Sequence, residues 1–230
     1  MRKLITNKPE VREMNQERPG SMFFRTIVGA ADADLTIKKS RFIAILTPIN
    51  QLQDIEASLQ NARLNYPGAN HYCYSYRLRQ DDVILERSSD DGEPSGTAGW
   101  PMLNLLKKME LQNIMVVVIR YFGGTLLGTG GLVRAYTHAV QMAADNAQLM
   151  SMKYSQKLIV TLEYSYYGSF QNQFSELMNR VSDIQYADKV RIELWIAVDE
   201  VAAFASKVEK LTGGTSAIEC GDKGFFPQTA

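Results

Sequence analysis

Ile114-Met115-Val116-Val117-Val118-Ile119-Arg120-Tyr121-Phe122-Gly123-Gly124-Thr125-Leu126-Leu127-Gly128-Thr129-Gly130-Gly131-Leu132-Val133-Arg134-Ala135-Tyr136 reads as a strand, a glycine loop and the opening of a helix. Ile114 to Ile119 shows no polar alternation, so both faces of that strand are covered and it is the centre of a sheet. After the loop, Leu132, Tyr136, Ala139, Val140, Ala143 and Ala147 recur at helical spacing and predict a helix over 132–149. Before the strand, Ser88-Ser89-Asp90-Asp91-Gly92-Glu93-Pro94-Ser95-Gly96-Thr97-Ala98-Gly99-Trp100-Pro101 is an acidic loop running into a helix over 99–109, with Pro101 tolerated in its first turn. Half of the 16 glycines lie between Gly92 and Gly131. Glycine is placed where the backbone takes positive φ or comes close to a neighbour, so both loops are shaped.

Working outward, 23–28 and 35–46 read as strands, the second interrupted at Lys38-Lys39-Ser40. Leu52, Ile55, Leu59 and Ala62 give a helix over 51–65, ended by Tyr66-Pro67-Gly68. His71–Leu78 alternates, with Tyr72, Tyr74 and Tyr76 on one face and His71, Cys73, Ser75 and Arg77 on the other. The tyrosine face is read as half-buried against a helix. A partner strand over 83–87 follows a turn at Gln80-Asp81-Asp82.

Beyond Met150 the pattern restarts. Strands are expected over 158–164, 184–187, 190–198 and 215–219, a helix carries Phe170, Phe174, Leu177, Met178 and Val181, and Asp199 is the expected N-cap of a second helix closed by Gly213-Gly214. This β-α-β-β-α-β order is a ferredoxin-like split unit. The fold class is therefore α+β, organised as a leader over 1–20, a first domain over 21–150 and a second over 151–230.

Composition narrows the classes. Lysine and arginine balance aspartate and glutamate, 25 to 25, and by segment the count is five basic to three acidic over 1–20, twelve to twelve over 21–150 and eight to ten over 151–230. No segment is basic enough to bind duplex nucleic acid by bulk charge, although a local patch is not excluded. No apolar run reaches the roughly 18 residues of a membrane span, and the first 20 residues lack the apolar core of a secretory signal. A cytoplasmic protein without a membrane partner is expected. Cys73 and Cys220 have no CxxC partner and are read as reduced and buried; His71 and His138 are the only histidines, too few for a structural zinc site.

The two loops carry the chemistry. Gly123 and Gly128 have Walker spacing, but Thr129-Gly130 replaces Lys-Ser/Thr; Gly128-Thr129-Gly130 begins a dinucleotide fingerprint, but Val133 stands at the third glycine. Neither nucleotide motif is met, and the loop either holds an anion at the helix end or packs a tight crossover. Arg134, one turn into that helix, calls for an anionic partner. Asp90, Asp91 and Glu93 are read as ion-paired to Arg87, Arg120 or Arg134 rather than as magnesium or calcium ligands, since the twelve-residue calcium spacing is absent. His71 and Cys73 share a strand face, which leaves a thiol-imidazole pair open, but no nucleophile elbow exists and nothing demands an enzyme.

Four segments resemble the IMPACT family, in its two-domain bacterial branch: Lys38-Lys39-Ser40-Arg41-Phe42-Ile43-Ala44, His71 to Arg77, Arg87 to Gly99, and Arg120 to Gly124 continuing through Gly128 to Tyr136. The resemblance covers about 21–145. It implies a first domain with the fold of the second domain of ribosomal protein S5 and a second domain similar to the last domain of elongation factor G. Eukaryotic relatives regulate translation by binding the activator of a kinase that phosphorylates an initiation factor. That pathway is absent from bacteria, so the expected partner is the ribosome, RNA or a translation-associated protein, bound without enzymatic chemistry or a cofactor. Trp100 stands where the family usually has a basic residue, which favours stacking or a protein partner there. Candidate binding residues are Asp90, Asp91, Glu93, Arg120, Gly123, Gly124, Gly128, Gly130, Gly131 and Arg134, with Lys39, Arg41 and His71 from the matching segments; no catalytic residue or metal ligand is assigned. The competing readings are an enzyme acting on a phosphate-bearing ligand held by the glycine loop, and a protein-interaction adaptor.

Overall fold

In a computed structural model, which describes residues 22–80 and 83–228, the first half of the chain runs β1 (Phe23–Ile27), β2 (Ala31–Ile37), β3 (Ser40–Pro48), α1 (Leu52–Asn65), β4 (His71–Gln80), β5 (Val83–Ser89), α2 (Gly99–Lys108), β6 (Ile114–Tyr121) and α3 (Thr129–Asp145). The second half runs β7 (Leu149–Leu162), α4 (Tyr164–Gln173), a 3-10 turn (Ser175–Arg180), β8 (Val181–Tyr186), β9 (Val190–Ala197), α5 (Val201–Thr212) and β10 (Ala217–Gln228). The described residues divide into a unit over Phe24–Ser151 and a unit over 152–228 that also takes in Met22 and Phe23. The expected leader over 1–20 and the turn at Asp81-Asp82 lie outside the described residues. Among the described residues no helix is long and apolar enough to cross a membrane.

The first unit is built on the sheet β2-β3-β6-β4-β5, with the uniformly apolar β6 in its middle. Residues 114–120 of β6 are all buried because both faces are covered. On one face α2 and α3 pack onto Phe42, Ala44, Leu46, Cys73, Val116 and Val118. On the other, Ile43, Met115, Val117 and Ile119 meet α1 through Ile55, Leu59 and Ala62, and Tyr72, Tyr74 and Tyr76 are half-buried in that layer. The tyrosine face is therefore a packing face. Each large apolar side chain withdrawn from water here contributes about 2 kcal/mol before entropy is counted.

The single strand expected over 35–46 is instead a hairpin. Ile37 pairs with Ser40, and the two residues between them, Lys38 and Lys39, take left-handed φ values of 46° and 70°. Positive φ at both central positions is the turn that matches strand twist, usually made with Asn-Gly, so two lysines hide it from the sequence. α3 begins three residues earlier than expected, after Gly128 at φ 70°, and ends at Asp145, leaving Leu149 free to open β7.

In the second unit β9 lies between β7 and β8, and β10 pairs with β7, the strand order of a ferredoxin-like sheet. Leu158, Val160, Leu162, Ile192, Leu194 and Ile196 alternate onto one face and pack against Phe170, Phe174, Phe204 and Val208. The Phe174 ring lies 4.8 Å from Phe170 and 4.9 Å from Phe204. The expected helix through Val181 breaks into α4 and the 3-10 turn, Tyr164 opens α4 rather than ending a strand, and Val181 starts β8. Glu200, not Asp199, occupies the N-cap of α5, without a side-chain cap; both acids instead face Lys153, Glu200 at 2.9 Å and Asp199 at 3.7 Å. Gly213 closes α5 in the left-handed conformation, as expected. Cys73 is buried, but Cys220, expected to be buried, is exposed.

Candidate functional site

The end of the first unit where β4 starts, β6 finishes and α3 begins gathers the hairpin turn, the acidic loop and the glycine loop. The acidic loop has no regular structure, and its carboxylates hold it. Asp90 accepts from the N–H groups of Gly96 at 2.8 Å, Ala98 at 2.9 Å and Gly99 at 2.8 Å. Ala98, the N-cap of α2, has no side-chain acceptor of its own, so Asp90 satisfies that helix end from eight residues upstream. Asp91, at φ 43°, turns its carboxylate onto the Tyr72 N–H at 2.7 Å and its carbonyl onto His71 Nδ1 at 2.8 Å. A carbonyl only accepts, so Nδ1 carries the proton.

Glu93 is the buried centre. Its Oε1 accepts from Arg120 Nη1 at 2.5 Å and from the Tyr136 hydroxyl at 2.7 Å, with 3% of the Glu93 and 6% of the Arg120 side chain exposed. His71 Nε2 stands 4.0 Å from the same oxygen. Arg120 also lies 5.3 Å from the ring centre of Phe42 and 5.5 Å from that of Phe122, so aromatic faces surround the guanidinium where its Nε finds no acceptor. Cys73 donates to the Asp90 carbonyl at 2.9 Å and sits 3.3 Å from the Tyr136 hydroxyl. Burial pushes the Cys73 thiol up to about 12, and burial, with Cys73 beside it, raises Tyr136 above its ordinary range. A thiol held protonated is a poor nucleophile, so the thiol-imidazole pair left open by the sequence is not an activated one.

The glycine loop is braced from behind. Ser40 Oγ accepts from the Gly123 N–H at 3.1 Å, and a Cβ on Gly123 would stand 2.0 Å from the Lys39 carbonyl carbon, so only glycine fits against the hairpin turn. Gly124 and Gly128 take positive φ, and the N–H groups of Thr129, Gly130 and Gly131 precede the first helical bond, from Leu132 to the Gly128 carbonyl. Leu126 at the loop's tip is 83% exposed and Phe122 44%.

Of the residues singled out in the sequence, the structure joins Glu93 to Arg120 and His71, and Asp90 and Asp91 to backbone. It does not bring Arg134 or Arg87 to the carboxylates. Arg41 pairs with Asp34 across the hairpin at 2.6 Å, an exposed contact away from Glu93. Arg134 is exposed, and among the described residues neither it nor Lys38 nor Lys39 has an ion-pair partner. Arg134, Lys38 and His138 line one shallow depression with Leu127 and Gly131. Tyr136, Ser40 and Lys38 were not among the candidates, and Cys73 entered only as half of a thiol-imidazole pair. A tyrosine in a stripe otherwise of Ala, Val and Leu was the available signal for the first, since a buried hydroxyl requires a partner. Trp100 is 55% exposed with the Lys107 ammonium 5.6 Å over its ring, so part of its stacking surface is used within α2. Among the described residues no three His, Cys, Asp or Glu side chains converge as metal ligands.

Residues 38–144 match the Impact N-terminal domain and residues 160–215 a domain of unknown function, DUF1949. The chain is 34% identical over 197 residues to the IMPACT family member YvyE of Bacillus subtilis, covering 86% of this chain and 90% of that one. It is 34% identical over 180 residues to the family member YigZ of Escherichia coli, covering 78% and 88% respectively. A solved structure described only as a hypothetical protein superposes with a TM-score of 0.56 at 28% identity, over 88% of this chain and 98% of that one.

Proposed function

The chain belongs to the IMPACT family, and from that premise we propose that it is a non-enzymatic, cytoplasmic binding protein of the translation apparatus, which engages RNA or the ribosome through the end of its first domain. The observation that carries this reading is an imbalance of charge. Asp90, Asp91 and Glu93 are consumed by backbone N–H groups, Arg120 and Tyr136, while Lys38, Lys39 and Arg134 are exposed and meet no acid among the described residues. Cations held on braced loops, beside free helix N–H groups, suit phosphate oxygens. A patch of this size gives salt-sensitive contact without making the whole domain basic.

Co-sedimentation with ribosomes and with structured RNA at low ionic strength tests this. Association that weakens with added salt and falls in Arg134→Ala and Lys39→Gly supports the reading. No association at low salt, or association indifferent to both substitutions, sinks it.

The exposed Leu126 and Phe122 favour a second reading, an adaptor whose protein partner covers the glycine loop. Capture of a ribosome-free protein that depends on Leu126, and not on Arg134, would decide for it.

A further inference from the structure

The depression between the hairpin turn and the first turns of α3 has a volume of about 190 Å³. Three nitrogen-bearing side chains, Lys38, Arg134 and His138, share it with an apolar wall of Ile37, Leu127 and Ala135, and among the described residues no carboxylate lines it. Two features bear on what it holds. Lys38 occupies a left-handed position, φ 46°, where glycine or asparagine would form the same turn without strain. Arg134 lies back over the preceding turn, as long helical side chains do, with Nη1 3.5 Å from where a Gly130 Cβ would be, which brings its charge to the positive end of α3. An anion seated between the guanidinium, the Lys38 ammonium and the first N–H groups of α3 would offset the repulsion at the helix end and give the lysine at this turn position a counter-charge. A compact, doubly charged group with several terminal oxygens makes more of these contacts than a bridging diester with one charge.

Resting on the RNA-binding reading, we infer that this depression is a subsite for a phosphomonoester, the terminal phosphate of an RNA 5′ end or of a free nucleotide, with the adjoining sugar against Ile37 and Leu127. It is a binding site, and no bond is made or broken there.

Calorimetric titration of the full chain with inorganic phosphate, adenosine 5′-monophosphate, and one short RNA made with either a 5′-phosphate or a 5′-hydroxyl tests the assignment. At one salt concentration the 5′-phosphorylated RNA is expected to bind about tenfold more tightly than the 5′-hydroxyl form, the effect of one added charge-assisted contact. That difference is expected to vanish in Lys38→Gly and Arg134→Ala. Lys38→Gly relaxes the turn, so its effect is not one of misfolding. If both RNAs bind equally and still depend on Arg134, the subsite is wrong and the RNA reading stands. Saturable binding of phosphate and the nucleotide, lost in both variants and without binding of either RNA, keeps the subsite for a small molecule and removes the RNA reading. Binding of none of the four probes, or a tenfold difference that persists in both variants, overturns the assignment.

Discussion

Glu93 Oε1 and Arg120 Nη1 meet at 2.5 Å with both side chains almost wholly out of water. Such a pair adds little over apolar packing, but losing one member leaves a buried charge. Glu93→Ala is expected to cost about 3–5 kcal/mol in urea unfolding, and Glu93→Gln, which keeps an acceptor, distinctly less. A loss below about 1 kcal/mol for the alanine variant would show the guanidinium to be held chiefly by Phe42 and Phe122.

Asp90 anchors three N–H groups of its own loop. Asp90→Ala removes the carboxylate that accepts from the α2 N-terminus and is expected to destabilise the first unit by about 2 kcal/mol, with Asp90→Asn intermediate. Equal stability of Asp90→Ala and the parent protein would contradict this arrangement.

Thiol titration separates the two cysteines. In the native protein the exposed Cys220 is expected to react with a thiol reagent and the buried Cys73 to stay silent, both reacting in denaturant. The same burial acts on stability. Cys73 ionises near its ordinary 9.0 when unfolded but only at about 12 when folded, so over that window the unfolded state gives up a proton that the folded state keeps. The contribution is complete below pH 9 and is lost as pH rises toward 12, and Tyr136, raised above its ordinary 10.0, adds in the same direction. In Cys73→Ala the part of this alkaline decline due to the thiol disappears; an unchanged curve would assign the decline elsewhere.

Gly123 has backbone, not a movable side chain, at 2.0 Å from any added Cβ. Gly123→Ala is expected to cost about 3 kcal/mol by forcing the hairpin turn and the glycine loop apart. Gly124→Ala, which meets no neighbouring atom but has φ 79°, is expected to cost about 1 kcal/mol. Equal costs for the two would rule out the steric explanation.

The central place of β6 was readable because a six-residue apolar run has no other place than the middle of a covered sheet, and the second unit because Val190 to Ile196 and its neighbours alternate cleanly. The Lys38-Lys39 turn escaped notice because its φ signs come from register, Ile37 to Ser40, and not from turn-forming residue types. Arg41 was grouped with the site for the same reason: its partner Asp34 comes beside it only once the hairpin is formed. In the acidic loop, Arg120 was one of three foreseen partners and proved to be the one in place. Tyr136 and the long-range cap by Asp90 were missed, since helical periodicity treats tyrosine as bulk and local capping rules look next to the helix rather than eight residues before it. The exposed cations were legible as residues, but only the folded chain shows that Arg134 meets no carboxylate among the described residues.

The carboxylates of Asp90 and Asp91 also decide how fast the loop trades hydrogen for deuterium. Loops ordinarily exchange their amides with solvent almost at once, yet Gly96 and Ala98 in this loop, like Tyr72 at the start of β4 and Gly99 at the start of α2, each give theirs to a carboxylate oxygen at 2.9 Å or less. Those amides open only when the loop detaches as a body. In exchange measurements this irregular segment therefore belongs with the slow sheet β3-β6-β4, while the regular but water-facing first turn of α3 belongs with the fast parts of the molecule.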